Sequence, residues 1–423
     1  MQGLKNKAIL FLKWLEKYIK TDMIYLAQGG FWAIVSQVTL SIATLLLTIA
    51  FAKYLSKDTY GQYKYILSVA NIFKILILSG IGMATLQSVT RGYEGTLRYA
   101  FWQNIKWSAL FFLGSGLGAI YYFFHGNSTL GISLLIIGCI SPFWTSTNLY
   151  SAYLTAKKDF RRNALYFDIM GNLFPYACLF LTMVLTNNVV WLIFVYFASN
   201  TLIGLVLYVR ILKIYKPNDK IDPEMLHYSK HLSVLGIIGI LSENIDQIMV
   251  FHFIGPAQLA TYTFAVGIPD QIKGPVQNLG NLMFPKFVQR ENKDIRSGMN
   301  NKILLLFISS IFIIIVYWLA APYLYEWFFP KYVGSIFYSK IYALSLLWII
   351  SVPANTYLSA KKKIKEQYAS VTYGFIAQVA LMSLGIIYWG LLGLIIARVI
   401  IRLMITFIAL VLYNKASKEV LVL

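Results

Sequence analysis

The sequence predicts an all-α integral membrane protein of about twelve transmembrane helices, arranged as two parallel six-helix repeats. Three features carry this prediction. Apolar residues make up 58% of the 423 and charged residues only 13%, against about 25% charged in an ordinary soluble domain. The 37 Lys and Arg outnumber the 17 Asp and Glu, for a net charge of +20, and most of them gather between apolar runs. Short stretches of the first half also recur in the second. Such apolarity excludes a disordered chain. A charge of +20 with so few polar residues is not the surface of a soluble nucleic-acid binder, so no nucleic-acid partner is expected.

The elements follow in order. Residues 4–20, LKNKAILFLKWLEKYIK, place Leu4, Ala8, Phe11, Leu12, Leu15 and Ile19 at helical spacing with lysines between them. This reads as an interfacial helix with Trp14 near the headgroups. No small-residue cleavage site precedes the first spanning run, so no cleavable signal peptide is expected. Spanning helices are expected at 29–51, 62–85, 104–124, 130–154, 164–186, 189–209, 232–254, 259–283, 303–325, 336–358, 369–389 and 391–412. The eighth is the least apolar, with Asp270, Gln271, Lys273, Gln277, Asn278 and Asn281 between Pro269 and the loop. It is required because without it the basic stretch 286–302 would fall on the opposite side from the other basic loops.

Those loops orient the chain. The tail holds Lys5, Lys7, Lys13, Lys17 and Lys20, and alternate loops hold Arg91, Arg98, the KKDFRR stretch 157–162, the 210–230 segment, and Lys361, Lys362, Lys363 and Lys365. The positive-inside rule places these loops and both termini in the cytoplasm, in the inner or cytoplasmic membrane of the cell. The loops can also touch anionic membrane lipid.

The repeat is read directly. Residues 53–63, KYLSKDTYGQY, match 252–262, HFIGPAQLATY, and in the same register Lys74 falls on Lys273 and Arg91 on Arg290. Further on, YLTAKK at 153–158 matches YLSAKK at 357–362. The expected organisation is a six-helix lobe over 1–209 including the N-terminal amphipathic helix, a cytoplasmic linker over 210–231, and a second six-helix lobe over 232–423.

Function is sought among the ionisable residues within spans, since each is costly there without a partner or a wet cavity. Lys74 lies about ten residues into its helix, about 15 Å along it, and Lys273 occupies the repeat-equivalent position. Two ammonium groups so related suggest one central cationic cavity for an anionic, phosphate-bearing cargo. Asp270 is three residues from Lys273 and could instead neutralise it. Arg398 and Arg402 form one stripe on the last helix: Arg398 is a further candidate for the cargo site, and Arg402 is near enough to the end to snorkel. The SENIDQ stretch puts Glu243 and Asp246 in one polar cluster. Glu243, Asp246 and Asp270 are the candidates for coupling to Na⁺ or H⁺, or are fixed partners of the basic residues. Asp168 reads as a near-interface ion pair with Arg161 or Arg162.

No motif for other chemistry is present. Cys139 and Cys178 belong to no metal or disulfide pattern. His125, His227, His231 and His252 show no metal-ligand spacing, and there is no phosphate-binding loop for ATP hydrolysis and no nucleophile elbow. Neither a cofactor nor an enzymatic activity is expected.

Two half-chains of six helices with a basic tail resemble the polysaccharide transporter and O-antigen flippase family of the multidrug/oligosaccharidyl-lipid/polysaccharide exporter superfamily. KYLSKDTYGQY resembles that family's loop after the first helix, with Ser56 and Lys57 where Gly and Pro are usual. Its counterpart NIDQIMVFHFIGPAQLATY keeps Asn244, Ile245, Asp246, Gly255, Pro256 and Tyr262, with Gln247 where a basic residue is common. AYLTAKKDFRRNA at 152–164 resembles the loop after the fourth helix. The resemblance implies a MATE-like flippase fold that moves an undecaprenyl-diphosphate-linked oligosaccharide, an O-antigen or other surface-polysaccharide repeat unit, to the external leaflet. It further implies alternating access driven by an ion gradient, and other surface-polysaccharide assembly proteins as partners. Multidrug or small-amphipath export by the same superfamily is the alternative. A membrane-embedded glycan polymerase or ligase is a second alternative, against which the short external loops argue.

Overall fold

The computed structural model describes residues 23–272, 276, 283, 287, 295, 296, 298–361 and 364–419. The expected amphipathic helix over 4–20 lies outside them. Among the described residues every regular element is helical. Eight helices are long and apolar enough to cross a membrane, and up to ten spans result if each of two bent pairs counts as one. The chain is a multi-pass integral membrane protein, and the expected count of twelve goes beyond these spans. The eighth expected span, 259–283, begins as the helix Pro256–Asp270, beyond which only Gln271, Ile272, Val276 and Met283 of it are among the described residues.

Two spans are broken. The helix Lys57–Phe73 tightens into a 3-10 turn at Lys74–Leu76 and is followed after a bend by the helix Ile81–Thr90. The arms Met225–Val234 and Gly236–Phe253 form the second bent pair. The last two expected helices form one run over Ile364–Glu419 interrupted at Gly390, whose φ of 57° lies in the left-handed region. Gly390 therefore marks the turn between them, at the junction expected from sequence. The backbones of Gly385 and Gly393 approach so closely across it that a side chain at either would collide with the other.

The described chain divides into two compact units. One comprises residues up to Thr48, Leu76–Thr186 and Val190–Val234; the other comprises Ile49–Ile75, Asn187–Val189 and the chain from Leu235. Residues 49–75, expected in the first lobe, thus group with the second unit. In the first unit the helices Thr96–Phe124 and Ser128–Thr147 form an antiparallel hairpin, whose turn Asn127 caps by accepting from Leu130 N at 3.1 Å. Leu97, Ala100, Tyr150, Tyr153, Leu154 and Ile211 pack into its buried core. In the second unit the helices Lys57–Phe73 and Pro256–Asp270 pack on each other, with Gly61 so tight against the Pro256 carbonyl that a methyl group there would clash.

The exposed surface of the helix Met299–Phe328 carries Leu304, Leu305, Ile308, Phe312, Ile315 and Leu319. A continuous apolar stripe of this kind is costly in water and is satisfied by lipid chains.

Candidate functional site

Four segments of the second unit converge on one polar cluster. The arm Gly236–Phe253 supplies Asp246. After Gly255, whose φ is 107°, Pro256 starts the next helix, which delivers Tyr262 and, about two turns later, Asp270. The helix Ser335–Ala343 contributes Tyr342, and the 3-10 turn after it contributes Ser345. The helical run after Gly390 carries Arg398 and Arg402, about one turn apart and therefore on one face.

The cluster is a closed network. Asp246 Oδ2 pairs with Arg398 and accepts from the Tyr262 hydroxyl, while Arg398 also donates to that hydroxyl. The other Asp246 oxygen accepts from Gln247 N at 2.8 Å. Arg402 approaches Asp270 Oδ1 at 2.9 Å and Oδ2 at 3.2 Å, and donates to Ser345 Oγ at 3.0 Å. The Tyr342 hydroxyl lies 3.1 Å from both Asp270 oxygens, and its ring packs 4.9 Å from the Arg402 guanidinium. Arg398 reaches Asp270 at 4.0 Å and so joins the two pairs. The Asp246 side chain is 1% exposed and that of Arg398 17%. Charges this deep persist only when paired and hydrogen-bonded, and two carboxylates facing two guanidiniums leave no net charge.

This changes several expectations. Arg402, expected to be near enough to the helix end to snorkel, is paired with Asp270, its side chain 14% exposed. Asp270, considered as a neutraliser of Lys273, is engaged by Arg402; Lys273 itself lies outside the described residues. Arg398, expected in the cationic cavity, is held by Asp246. Glu243 is exposed, unlike its neighbour Asn244. Asp168 is not the partner of Arg162, which pairs instead with Asp159 at 2.9 Å. It stands beside Ser36 in the π-helical stretch Asn163–Met170.

Lys74 lies at the bend. Its Nζ donates to Asn71 Oδ1 at 2.8 Å, and Asn71 Nδ2 faces Asn244 Oδ1 at 3.4 Å. The 3-10 turn thus joins an ammonium group to the polar SENIDQ stretch. Asn71 and Tyr342 were not singled out from the sequence. Asn71 falls on Asp270 in the repeat register, which was a usable signal; nothing in the sequence marks Tyr342. No group of three or more His, Cys, Asp and Glu that could hold a metal ion occurs among the described residues.

Residues 26–289 match the polysaccharide biosynthesis protein family. No curated protein matches. Several solved structures share the fold. An inward-facing multidrug resistance MATE family transporter of the MOP superfamily matches with a TM-score of 0.72 at 13% identity, covering 91% of this chain and 98% of that one. Lipid II flippase MurJ in an inward closed conformation matches with a TM-score of 0.62 at 13% identity, covering 92% and 87%. A MOP superfamily transporter from Pyrococcus furiosus, described as having a binding pocket of reversed polarity, matches with a TM-score of 0.61 at 13% identity, covering 90% and 95%.

Proposed function

The chain belongs to the polysaccharide biosynthesis protein family, and on that premise we propose that it flips an undecaprenyl-diphosphate-linked oligosaccharide across the membrane by alternating access. The family match carries this reading. The fold, shared with MOP superfamily transporters, suits alternating access, and an ammonium group at a bend within a span suits an anionic cargo. Lys74 and Lys273 are proposed to meet the diphosphate. Arg398 contributes through the network that fixes it rather than as an open cation. The positive-inside distribution supports cytoplasmic termini.

Ion coupling is proposed at the exposed Glu243. A cation reaching Asp246 or Asp270 would have to displace a paired guanidinium, whereas the Glu243 carboxylate acts on Arg398 through its charge without an ion pair or hydrogen bond to it. Export of small amphipathic compounds is the second reading. Two of the similar solved structures, both multidrug resistance MATE family transporters, favour it; the family match favours the first.

Vesicles containing the purified chain separate the two readings. Protein-dependent appearance of a lipid-linked oligosaccharide on the far face, detected by an impermeant glycosidase, is expected, with loss in Lys74→Ala at equal protein level. Efflux of a cationic dye without movement of the glycolipid would establish the second reading. An imposed Na⁺ or H⁺ gradient should accelerate flipping, and Glu243→Gln should remove that acceleration.

A further inference from the structure

The first unit contains a cavity of about 660 Å³ separate from the charged network. Its walls are the short arms of the two bent pairs, Ile81–Thr90 and Met225–Val234. They are locked together at one end, where Gly80 N donates to Ser233 Oγ at 2.9 Å and the Gly80 backbone is in close contact with Ser229 and Leu232. At the other end Asp222 is buried and fully used: it accepts from Ser88 Oγ at 2.7 Å and from Glu224 N at 3.0 Å. Its own amide donates to Thr96 Oγ1 at 3.1 Å. Asp222 is therefore a structural clasp, and its charge is not offered to a ligand.

The groups that face the cavity are different. Glu224, His227, Tyr228 and His231 recur at the spacing of one helix face, and Gln87 and Arg91 come from the opposite wall. Among the described residues, the side chains of Gln87, Arg91, His227 and His231 have no hydrogen-bond or ion-pair partner. Arg91, His227 and His231 are exposed. The rim combines one guanidinium, one carboxylate, two imidazoles, a phenol and an amide. It offers both donors and acceptors at nearly balanced charge, which suits a hydroxyl-rich ligand carrying a phosphate better than a bare polyanion or an apolar cation.

We propose that this groove is a separate binding site for a phosphorylated glycan headgroup, with Arg91 taking a phosphate oxygen and His227, Tyr228, His231 and Gln87 hydrogen-bonding sugar hydroxyls. The proposal rests on the flippase reading, and deepens it by giving the headgroup a docking position on two short helical arms of the first unit.

The test uses the full chain in lipid nanodiscs with ¹³C-labelled histidine. Only four histidines are present, so single His→Gln substitutions assign each signal. The probe is a farnesyl-diphosphate-linked disaccharide, with inorganic pyrophosphate as the charge-only control. The His227 and His231 signals are expected to shift with the probe, while those of His125 and His252 stay in place. Arg91→Gln should weaken the response about tenfold, the effect of losing one charge-assisted hydrogen bond. Pyrophosphate alone should act at least tenfold more weakly than the disaccharide. Unmoved His227 and His231 signals at saturating probe in the wild-type chain would overturn the site without relying on any variant. An equal response to pyrophosphate would overturn the sugar contacts. Flipping measured with the same purified wild-type chain in vesicles separates the two readings: glycolipid flipping with silent histidines removes this site and leaves the transport reading intact.

Discussion

The same three side chains, an aspartate, a tyrosine and an arginine, form a closed triad twice among the described residues. In the second unit Tyr262 donates to Asp246, and Arg398 meets both. In the first unit Tyr215 donates to Asp159, and Arg162 reaches both, at 2.9 Å to each. The chemistry is the same and the surroundings are not. Asp246 is 1% exposed and Arg398 17%, whereas Asp159 is 23% exposed and Arg162 42%. The buried triad has no water to replace a lost partner. The loop triad does, so losing a member there costs less, although Tyr215 ties the loop to a helix end more than fifty residues away and Asp159 also caps the following helix by accepting from Arg162 N at 3.0 Å. One motif therefore acts as a tertiary cross-link in both places, sheltered from water in one and open to it in the other.

The largest expected effect breaks the buried triad. Asp246→Ala removes the close partner of Arg398 and leaves it only the more distant Asp270 at 4.0 Å; it should cost about 3–5 kcal/mol, enough to lower the melting temperature of the detergent-solubilised chain markedly. Arg398→Gln in addition to Asp246→Asn should recover much of the loss, because no charge then remains stranded. A double variant as unstable as the sum of the singles would mean that the two do not act as a pair. Asp270→Asn comes next. It leaves Arg402 a neutral amide and Ser345, and the expected loss is about 2–4 kcal/mol, softened because one carbonyl oxygen can still accept. Equal stability of Asp270→Asn and the wild type in thermal unfolding would dissolve the link between the two ion pairs.

Tyrosine-to-phenylalanine changes sharpen the contrast without altering charge. Tyr262→Phe removes a hydroxyl bonded to both members of a buried pair and should cost about 1–3 kcal/mol. Tyr215→Phe removes the same hydroxyl where water can substitute, and should cost under about 1 kcal/mol. Matching melting shifts for the two would show that burial does not set the difference.

How much of this was legible in the sequence depends on distance along the chain. Asp246, Asp270 and Arg398 stand out one by one because an ionisable residue inside an apolar run is conspicuous. Their pairing does not, because the helices that bring Arg398 to Asp246 are far apart in sequence. The Gln247 departure from the family pattern was a hint: the basic partner that commonly follows this aspartate is absent locally, and Arg398 supplies it from the last helix. Register explains more. Asn71 and Asp270 occupy equivalent repeat positions, and each meets a basic side chain, Lys74 and Arg402 respectively. The Gly390 turn could be read because two apolar runs longer together than a membrane needed a break. The 3-10 turn at Lys74 and the eight-residue one at Leu344–Ser351 could not, since packing sets them rather than composition. Tyr342 is one tyrosine among thirty.

The smallest expected effect is the pH response of the exposed loops. Burial alone would push the Asp159 carboxyl up, but the Tyr215 hydroxyl, the Arg162 amide and the Arg162 guanidinium together hold it below the usual carboxylate range. Burial likewise acts upward on Glu94 and is outweighed by hydrogen bonds from Lys157 and Tyr153 and the charge of Lys157. A carboxyl whose value is depressed on folding binds fewer protons in the folded chain than in the unfolded one. Its stabilisation is then complete above the unfolded value, near 4, and disappears as the pH falls through the lower folded value. Melting temperature should therefore fall between about pH 5 and pH 3, and the Asp159→Asn, Glu94→Gln double variant should flatten that fall while starting from a lower value at pH 7. A double variant with the same acid slope as the wild type would exclude these loop carboxylates as its source and move the acid sensitivity to the buried pairs.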